Sequence, residues 1–229
     1  MFLRFSLENI GRGAEVRRDE TRMAKRVFDL LFSSFGLVLL CPLFGVIAIL
    51  SKLDSPGPVF YRGARLGRRG KTIRMYKFRT MVADAEKLGP MGTPEGDPRV
   101  TKVGKFLRKF KLDELPQLIN VWKGEMSLVG PRPEAPFYLG YYTEDERAAI
   151  LSVRPGMTDY ASLRFHDEGK LIAGPDPVGE YISKIKPQKV RLQLEYVRDH
   201  SLAKDVRIIL ATIGVILKTR LLEEKERGI

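Results

Sequence analysis

Cysteine occurs once in 229 residues, tryptophan once and histidine twice. A single Cys41 excludes an intramolecular disulfide and fits a reducing compartment. His166 and His200 share no metal-ligand spacing with that cysteine, so no zinc site is expected. The most informative absence is of charge. From Leu30 to Leu50 there is no Asp, Glu, Lys or Arg, and 21 helical residues reach roughly 30 Å, the thickness of one hydrocarbon core. The run lies late for a secretory signal, exceeds an h-region in length and lacks a small-residue cleavage site. A buried core helix is the competing reading, and the length favours a membrane segment.

What is abundant is positive charge: 40 Lys+Arg against 28 Asp+Glu, a net charge of +12. Such an excess points to nucleic acid, a phosphate-bearing substrate or an anionic membrane surface. With 44% hydrophobic residues the chain can build one good core. Both flanks of the apolar run are basic: Arg17, Arg18, Arg22, Lys25 and Arg26 before it, Lys52, Arg62, Arg65, Arg68, Arg69 and Lys71 after it. The positive-inside rule then assigns both ends to the cytoplasm. Pro42 sits inside the run and lacks a backbone donor, which predicts a break at Cys41-Pro42 into arms of about 12 and 8 residues, each too short to cross. A helix-break-helix that enters and returns to the same face satisfies both observations. The carbonyl freed at the bend then needs a local donor, for which Ser33 and Ser34 are candidates. Asp29, spaced three and four residues from Arg26 and Lys25, is expected to be neutralised by them at the headgroup boundary.

After this segment, 54–81 reads as a turn, a strand, a Gly-rich basic turn and a second strand. In a strand over 72–80, Ile73, Met75, Lys77 and Arg79 share one face. Lys77 and Arg79 are either a solvated face or an anion site. Residues 84–98 read as a loop. Val103, Phe106, Leu107 and Phe110 make an amphipathic helical stripe, and Leu115, Leu118, Ile119 and Trp122 a second. In "MSLVGPRPE", Arg132 stands between two prolines that stiffen its backbone, a presentation suited to phosphate oxygens. Val190, Leu194 and Val197 form another stripe, and the ten-residue run 208–217 suits an interfacial or docking helix. The expected fold is α+β and predominantly helical, with a re-entrant membrane helix, a small β-hairpin and interfacial amphipathic helices. Its expected parts are an N-terminal segment 1–23, the membrane helix 24–51 and a catalytic domain 52–229.

The remaining feature is "KLDELPQLIN", with adjacent carboxylates at Asp113 and Glu114. One reading makes Asp113 the N-cap of the following helix and Glu114 a first-turn acid. The other uses the same helix start to keep Asp113 ionised as a nucleophile, while Glu114, about 100° around, faces a metal. Attack of a carboxylate on phosphorus is opposed by charge repulsion, which a divalent cation and clamps drawn from Arg108, Arg132, Lys77 and Arg79 would relieve.

"KRVFDLLFSS" with its internal proline, "YKFRTM", "DPRVTKVGKFLRKFKLDELPQLINVWKGEMSLVGPRPE" and "RPGMTDYASLRF" together resemble the bacterial sugar transferases known as monotopic phosphoglycosyl transferases. The resemblance covers roughly 24–200. It implies transfer of a sugar phosphate from a UDP-sugar to polyprenyl (undecaprenyl) phosphate, with release of UMP, at the start of envelope glycan assembly. It implies a covalent phosphosugar on Asp113, support from Glu114, and Mg2+ held by Asp113 and Glu114. Lys77, Arg79, Arg108 and Arg132 are then substrate-binding residues, and Asp97 and Arg99 match a "DPR" motif with a local structural or metal-side role. A re-entrant helix in the bacterial inner membrane, with the catalytic domain on its cytoplasmic face, is implied as well. Only about 25 residues precede the apolar run, which resembles the minimal catalytic form. "TDYASLRF" departs from the "TGWAQV" pattern of hexose-1-phosphate transferring relatives and leaves the sugar open, an N-acetylated one included. Two rivals remain at this level: a membrane-tethered nucleic-acid module, which lacks the usual aromatic platform, and a non-catalytic scaffold. No nucleic-acid partner is expected; a homo-oligomer stays open.

Overall fold

The computed structural model describes residues 2–85, 88, 96–166 and 177–226, with side chains described from residue 22 to 218 within those ranges except 177 and 178. Helix α1 (Phe2–Asp54) leads into an antiparallel hairpin of β1 (Phe60–Leu66) and β2 (Thr72–Phe78), paired Phe60 with Phe78 and Leu66 with Thr72. Then follow α2 (Lys102–Lys109), a 3-10 turn Leu112–Glu114, α3 (Gln117–Lys123) and β3 (Ser127–Val129). A 3-10 stretch Pro136–Tyr141, α4 (Glu144–Ile150), β4 (Gly156–Thr158) and α5 (Tyr160–Arg164) come next. The chain closes with α6 (Pro177–Glu180), a π-helical turn Tyr181–Ile185, α7 (Lys186–Asp199) and α8 (Leu202–Glu226).

The alternation of β2 divides the interior. Ile73 and Met75 pack against Val121 and Met126 on one face, while Phe78 meets Ile47 and Leu107 from the other. Helix α3 lies on the first of these faces and also packs on α1, where Leu118 abuts Gly36 and Arg26 reaches the carbonyl end of α3. Asn120 locks α3 to the strand: it accepts from Tyr76 N at 2.9 Å and donates to Arg74 O at 2.9 Å. The carbonyls at the end of α3 have no helical successors; Arg26 donates to Val121 O and Trp122 O, and Arg154 to Gly124 O. Beyond α3, β3 and β4 form a two-stranded parallel ladder in which a Cβ on Gly156 would lie 2.0 Å from Gly130 N. Only glycine permits that approach. Val129, Tyr196 and Ile208 bury α7 and α8 against this ladder.

Helix α1 shows an apolar exposed face, with Leu31, Phe35, Val38, Leu39, Val46 and Ile49 all exposed, and a narrow buried stripe of Asp29, Ser33, Ile47 and Ser51. Residues 22–54 are apolar and long enough to cross a membrane by length and composition. Three expectations change here. Helical hydrogen bonding continues through Pro42, so a bend there is a kink within one helix and not a break into two separate arms, and the same helix extends past residues 23 and 51. Ser33 Oγ donates to Leu30 O, its own preceding turn, and not to the carbonyl facing Pro42. Asp29 does not bond its helical neighbours: it accepts from Ser127 Oγ and Leu128 N, each at 3.0 Å, while Lys25 pairs with Asp205 and Arg26 caps α3. Burial against β3 outweighs a surface i,i+4 pair. The run 208–217 lies within α8, which docks through Ile208 and leaves Val206, Leu210, Ile213 and Leu217 exposed.

Candidate active site

The dyad sits on a turn built by two backbone devices. A Cβ on Gly104 would lie 2.1 Å from Thr80 O, so α2 packs backbone-to-backbone against the end of the hairpin. That approach brings Arg108 Nε within 2.8 Å of Thr80 Oγ1. Lys111 then adopts φ 50, ψ 19, a left-handed conformation costly for a residue with a Cβ, and reverses the chain into Leu112–Glu114. Thr101 and Asp54 complete the support from below: Thr101 Oγ1 accepts from Gly104 N, and Asp54 Oδ2 from Val103 N at 2.8 Å.

The two carboxylates meet different surroundings. Glu114 Oε1 accepts from Lys77 Nζ at 2.7 Å and also from Arg132 Nη2. Burial would raise its pKa, but the Arg132 guanidinium and the Lys77 ammonium hold it well below the usual carboxylate range. Asp113 is buried, 7% exposed, and among the described residues its carboxylate makes no hydrogen bond. Burial pushes its pKa up; Lys77 opposes this, Glu114 adds to it, and Arg108 and Lys111 oppose it. The N-cap role expected for Asp113 is not found. It lies inside the 3-10 turn, whose N-cap is Lys111, and α3 begins after Pro116 with no side-chain cap. The helix start therefore does not hold Asp113 ionised; desolvation works against its charge.

The structure brings Lys77, Arg108, Arg132, Asp113 and Glu114 to one place. Arg132 stands on the extended segment after Gly130; its Nη1 donates to Met157 O at 3.3 Å, and its backbone N approaches Asp159 Oδ2 at 3.4 Å. Arg79 is not part of this group. Strand β2 ends at Phe78, and the Arg79 guanidinium turns to the carbonyls left unsatisfied where α1 ends, donating to Ser51 O, Ser55 O, Pro56 O and Pro58 O. Asp97 and Arg99 hold one another, with Asp97 Oδ2 2.7 Å from Arg99 Nη2, and that pairing brings Asp97 down to about 2. Arg99 also donates to Ala85 O, a local structural tie. Sequence reasoning missed Thr80 and Asp159. Asp159 is fully buried, its Oδ1 accepts from Ser162 N and Oγ at 2.7 Å, and it backs the Arg132 segment. The proximity of "TDYAS" to "GPRPE" across the β3–β4 ladder has no signal in a single sequence.

Among the described residues, no three His, Cys, Asp or Glu side chains cluster to hold a metal. Two carboxylates are what Mg2+ commonly takes from a protein, because substrate phosphates and water complete its shell. The unbonded Asp113 oxygens and the second oxygen of Glu114 fit that donor set.

A family model described as bacterial sugar transferase matches residues 20–219. A UDP-glucose:undecaprenyl-phosphate glucose-1-phosphate transferase of Caulobacter vibrioides is 36% identical over 209 residues, covering 90% of this chain and 74% of its own length. A protein of the same name from Escherichia coli K12 is 39% identical over 195 residues, 84% of this chain and 40% of that protein. A UDP-N-acetylgalactosamine-undecaprenyl-phosphate N-acetylgalactosaminephosphotransferase of Aeromonas hydrophila is 36% identical over 197 residues, 84% of this chain and 43% of its own length. The chain thus spans less than half the length of the last two. With the matched region enclosing the hairpin, the dyad turn and the Arg132 segment, the chain belongs to the bacterial sugar transferase family.

Proposed function

We propose that the protein transfers a sugar-1-phosphate from a UDP-sugar to polyprenyl phosphate, with Asp113 as the nucleophile. The observation that carries this reading is the contrast within the dyad: a buried carboxylate with no hydrogen bond beside one clamped by Arg132 and Lys77. In the first half-reaction an Asp113 oxygen attacks the sugar-bearing phosphorus of the donor. The bond from that phosphorus to the bridging oxygen breaks, and UMP leaves with the oxygen and its electron pair. In the second, a phosphate oxygen of the polyprenyl acceptor attacks the same phosphorus, the Asp113 carboxylate is released, and a polyprenyl diphosphate sugar forms. Asp113 needs no base, since its ionised form is already the nucleophile. Arg108 and Arg132 face the developing phosphoryl charge, and Lys77 orients Glu114. Asp113 and Glu114 would hold Mg2+, whose charge would neutralise the phosphate oxygens when bound. Arg79 takes no part and holds the end of α1.

The membrane reading that belongs to this function is a re-entrant α1, working on the cytoplasmic face of the bacterial inner membrane. It is supported by where the helix touches the domain. Lys25 pairs with Asp205, and Asp54 accepts from Val103 N; these points lie 29 residues apart, roughly 44 Å of helix. One polar domain contacting both ends cannot flank a straight helix through hydrocarbon without burying itself in lipid. Labelling of single cysteines placed before residue 22 and after residue 54 in sealed vesicles should show both on the domain's side; opposite sides sink the re-entrant reading.

The catalytic reading is tested with radiolabelled UDP-sugars, Mg2+ and the purified protein. Without acceptor, mass spectrometry should find a phosphosugar on the peptide carrying Asp113, with one UMP released per site. Polyprenyl phosphate should then discharge it. Transfer by Asp113→Asn at the wild-type rate overturns the assignment.

A further inference from the structure

Gln117 opens α3 and is fully buried, yet among the described residues neither its Oε1 nor its Nε2 has a hydrogen-bond partner. It is the one described side chain with two such atoms. The contrast with Asn120, one turn further along the same helix, is direct. Asn120 is equally buried, and its amide meets Tyr76 N, Arg74 O and a Glu125 carboxylate oxygen at 2.6–2.9 Å. An unpaired buried amide weakens a fold unless another group calls for it.

The backbone places Gln117 one turn beyond the dyad. Leu115 (φ −55, ψ −34) and Pro116 (φ −62, ψ −12) carry helical geometry from the 3-10 turn into α3. Gln117 therefore lies four residues beyond Asp113 and three beyond Glu114, on the same face. Side chains on a helix lean toward its N-terminus, so Gln117 leans over the turn that holds both carboxylates. That turn offers two carboxylates and leaves room for a further neutral ligand: among the described residues no third acid or histidine joins the pair, and one Glu114 oxygen already carries Lys77 and Arg132. An amide oxygen is a hard ligand of the kind Mg2+ accepts, and being neutral it adds no repulsion against an incoming diphosphate.

We propose that Gln117 supplies the third protein oxygen for the divalent cation at Asp113 and Glu114. This rests on the metal assignment made above, and its test separates the two. Mn2+ is titrated into the purified protein with UMP present, and bound ion is read by electron paramagnetic resonance, with no turnover involved. The wild type should bind Mn2+ competitively with Mg2+, and Asp113→Asn should weaken it. Gln117→Met keeps length and removes both polar atoms. It should weaken Mn2+ binding roughly tenfold or more, while the metal-free melting temperature holds or rises because the orphaned amide is gone. Gln117→Asn, which withdraws the oxygen by one methylene, should also lose affinity and serves if the Met variant does not fold. Wild-type affinity in a folded Gln117 variant overturns the assignment alone; the amide then holds a trapped water only. No Mn2+ binding by the wild type overturns the metal reading and this one with it.

Discussion

The Asp113 side and the Glu114 side of the dyad turn are neighbours in the chain and opposites in physics. On the Glu114 side two cations reach one oxygen, and the pairing exceeds the penalty of burial, so the carboxylate stays charged and fixed. On the Asp113 side Lys77, Arg108 and Lys111 act only through space, burial dominates, and the carboxylate keeps its oxygens free. A group held by hydrogen bonds cannot attack without breaking them; a group denied hydrogen bonds is destabilised as an anion and more reactive for it. The turn thus gives all its donors to one residue, which is what the proposed division between an anchored Glu114 and an attacking Asp113 needs.

The comparison can be broken most severely at Asp113. Asp113→Asn should lower transfer by about 10^4-fold or more and abolish the trapped phosphosugar, measured by UMP release and peptide mass spectrometry. The same variant should melt higher at neutral pH. Asp113 has a folded pKa above its unfolded one, so its charge costs stability once pH exceeds the usual carboxylate range; a neutral amide removes that cost, and the gain should vanish at low pH. A fall in melting temperature at neutral pH would end the contrast.

Arg132→Lys tests the other side. Lysine keeps the charge but loses the planar fork that spans Glu114 and Met157 O, and kcat/KM should drop by roughly 10^2-fold with the phosphosugar still detectable. Gly104→Ala should cost about 1–3 kcal/mol of stability, read by denaturant unfolding, because its Cβ would meet Thr80 O at 2.1 Å. Activity should fall with it as Arg108 is displaced from Thr80. The smallest effect sharpens the comparison further. The acid limb of kcat/KM should lie above the usual carboxylate range, since the proposed nucleophile is the ionised Asp113 and burial raises its pKa. A limb within that range would mean that Asp113 is better solvated than its burial implies.

Much of this was legible in the residues. The apolar run, the hairpin and the presence of helices at α2 and α3 follow from periodicity and length, although Phe106 and Trp122 of the expected stripes are exposed and α3 buries Gln117, Asn120 and Val121 beside Leu118; the grouping of Lys77, Arg108, Arg132 and the dyad follows from the motif block. Two particulars were misread for the same reason: local pattern cannot see which oxygens are left over elsewhere. Arg79 shares its strand alternation with Lys77, but the carbonyls at the end of α1 take its guanidinium. Asp113 has the residue type and position of an N-cap, yet the left-handed Lys111 shifts the helix start and leaves it inside a turn. Asp159 and Thr80 act on arginines 27 and 28 residues away in the chain, distances at which no spacing rule applies.

The stripe that binds α1 to the rest of the molecule has a mechanical consequence. Asp29 is bonded to β3, Asp54 to the start of α2, and the carbonyls after Ser51 to Arg79. A rod fastened at several stations along one line can neither roll about its axis nor slide along it. The height at which Asp113 stands beside α1 is therefore set by rigid geometry, and in the proposed reaction a donor from water and an acceptor from lipid both come to that one level.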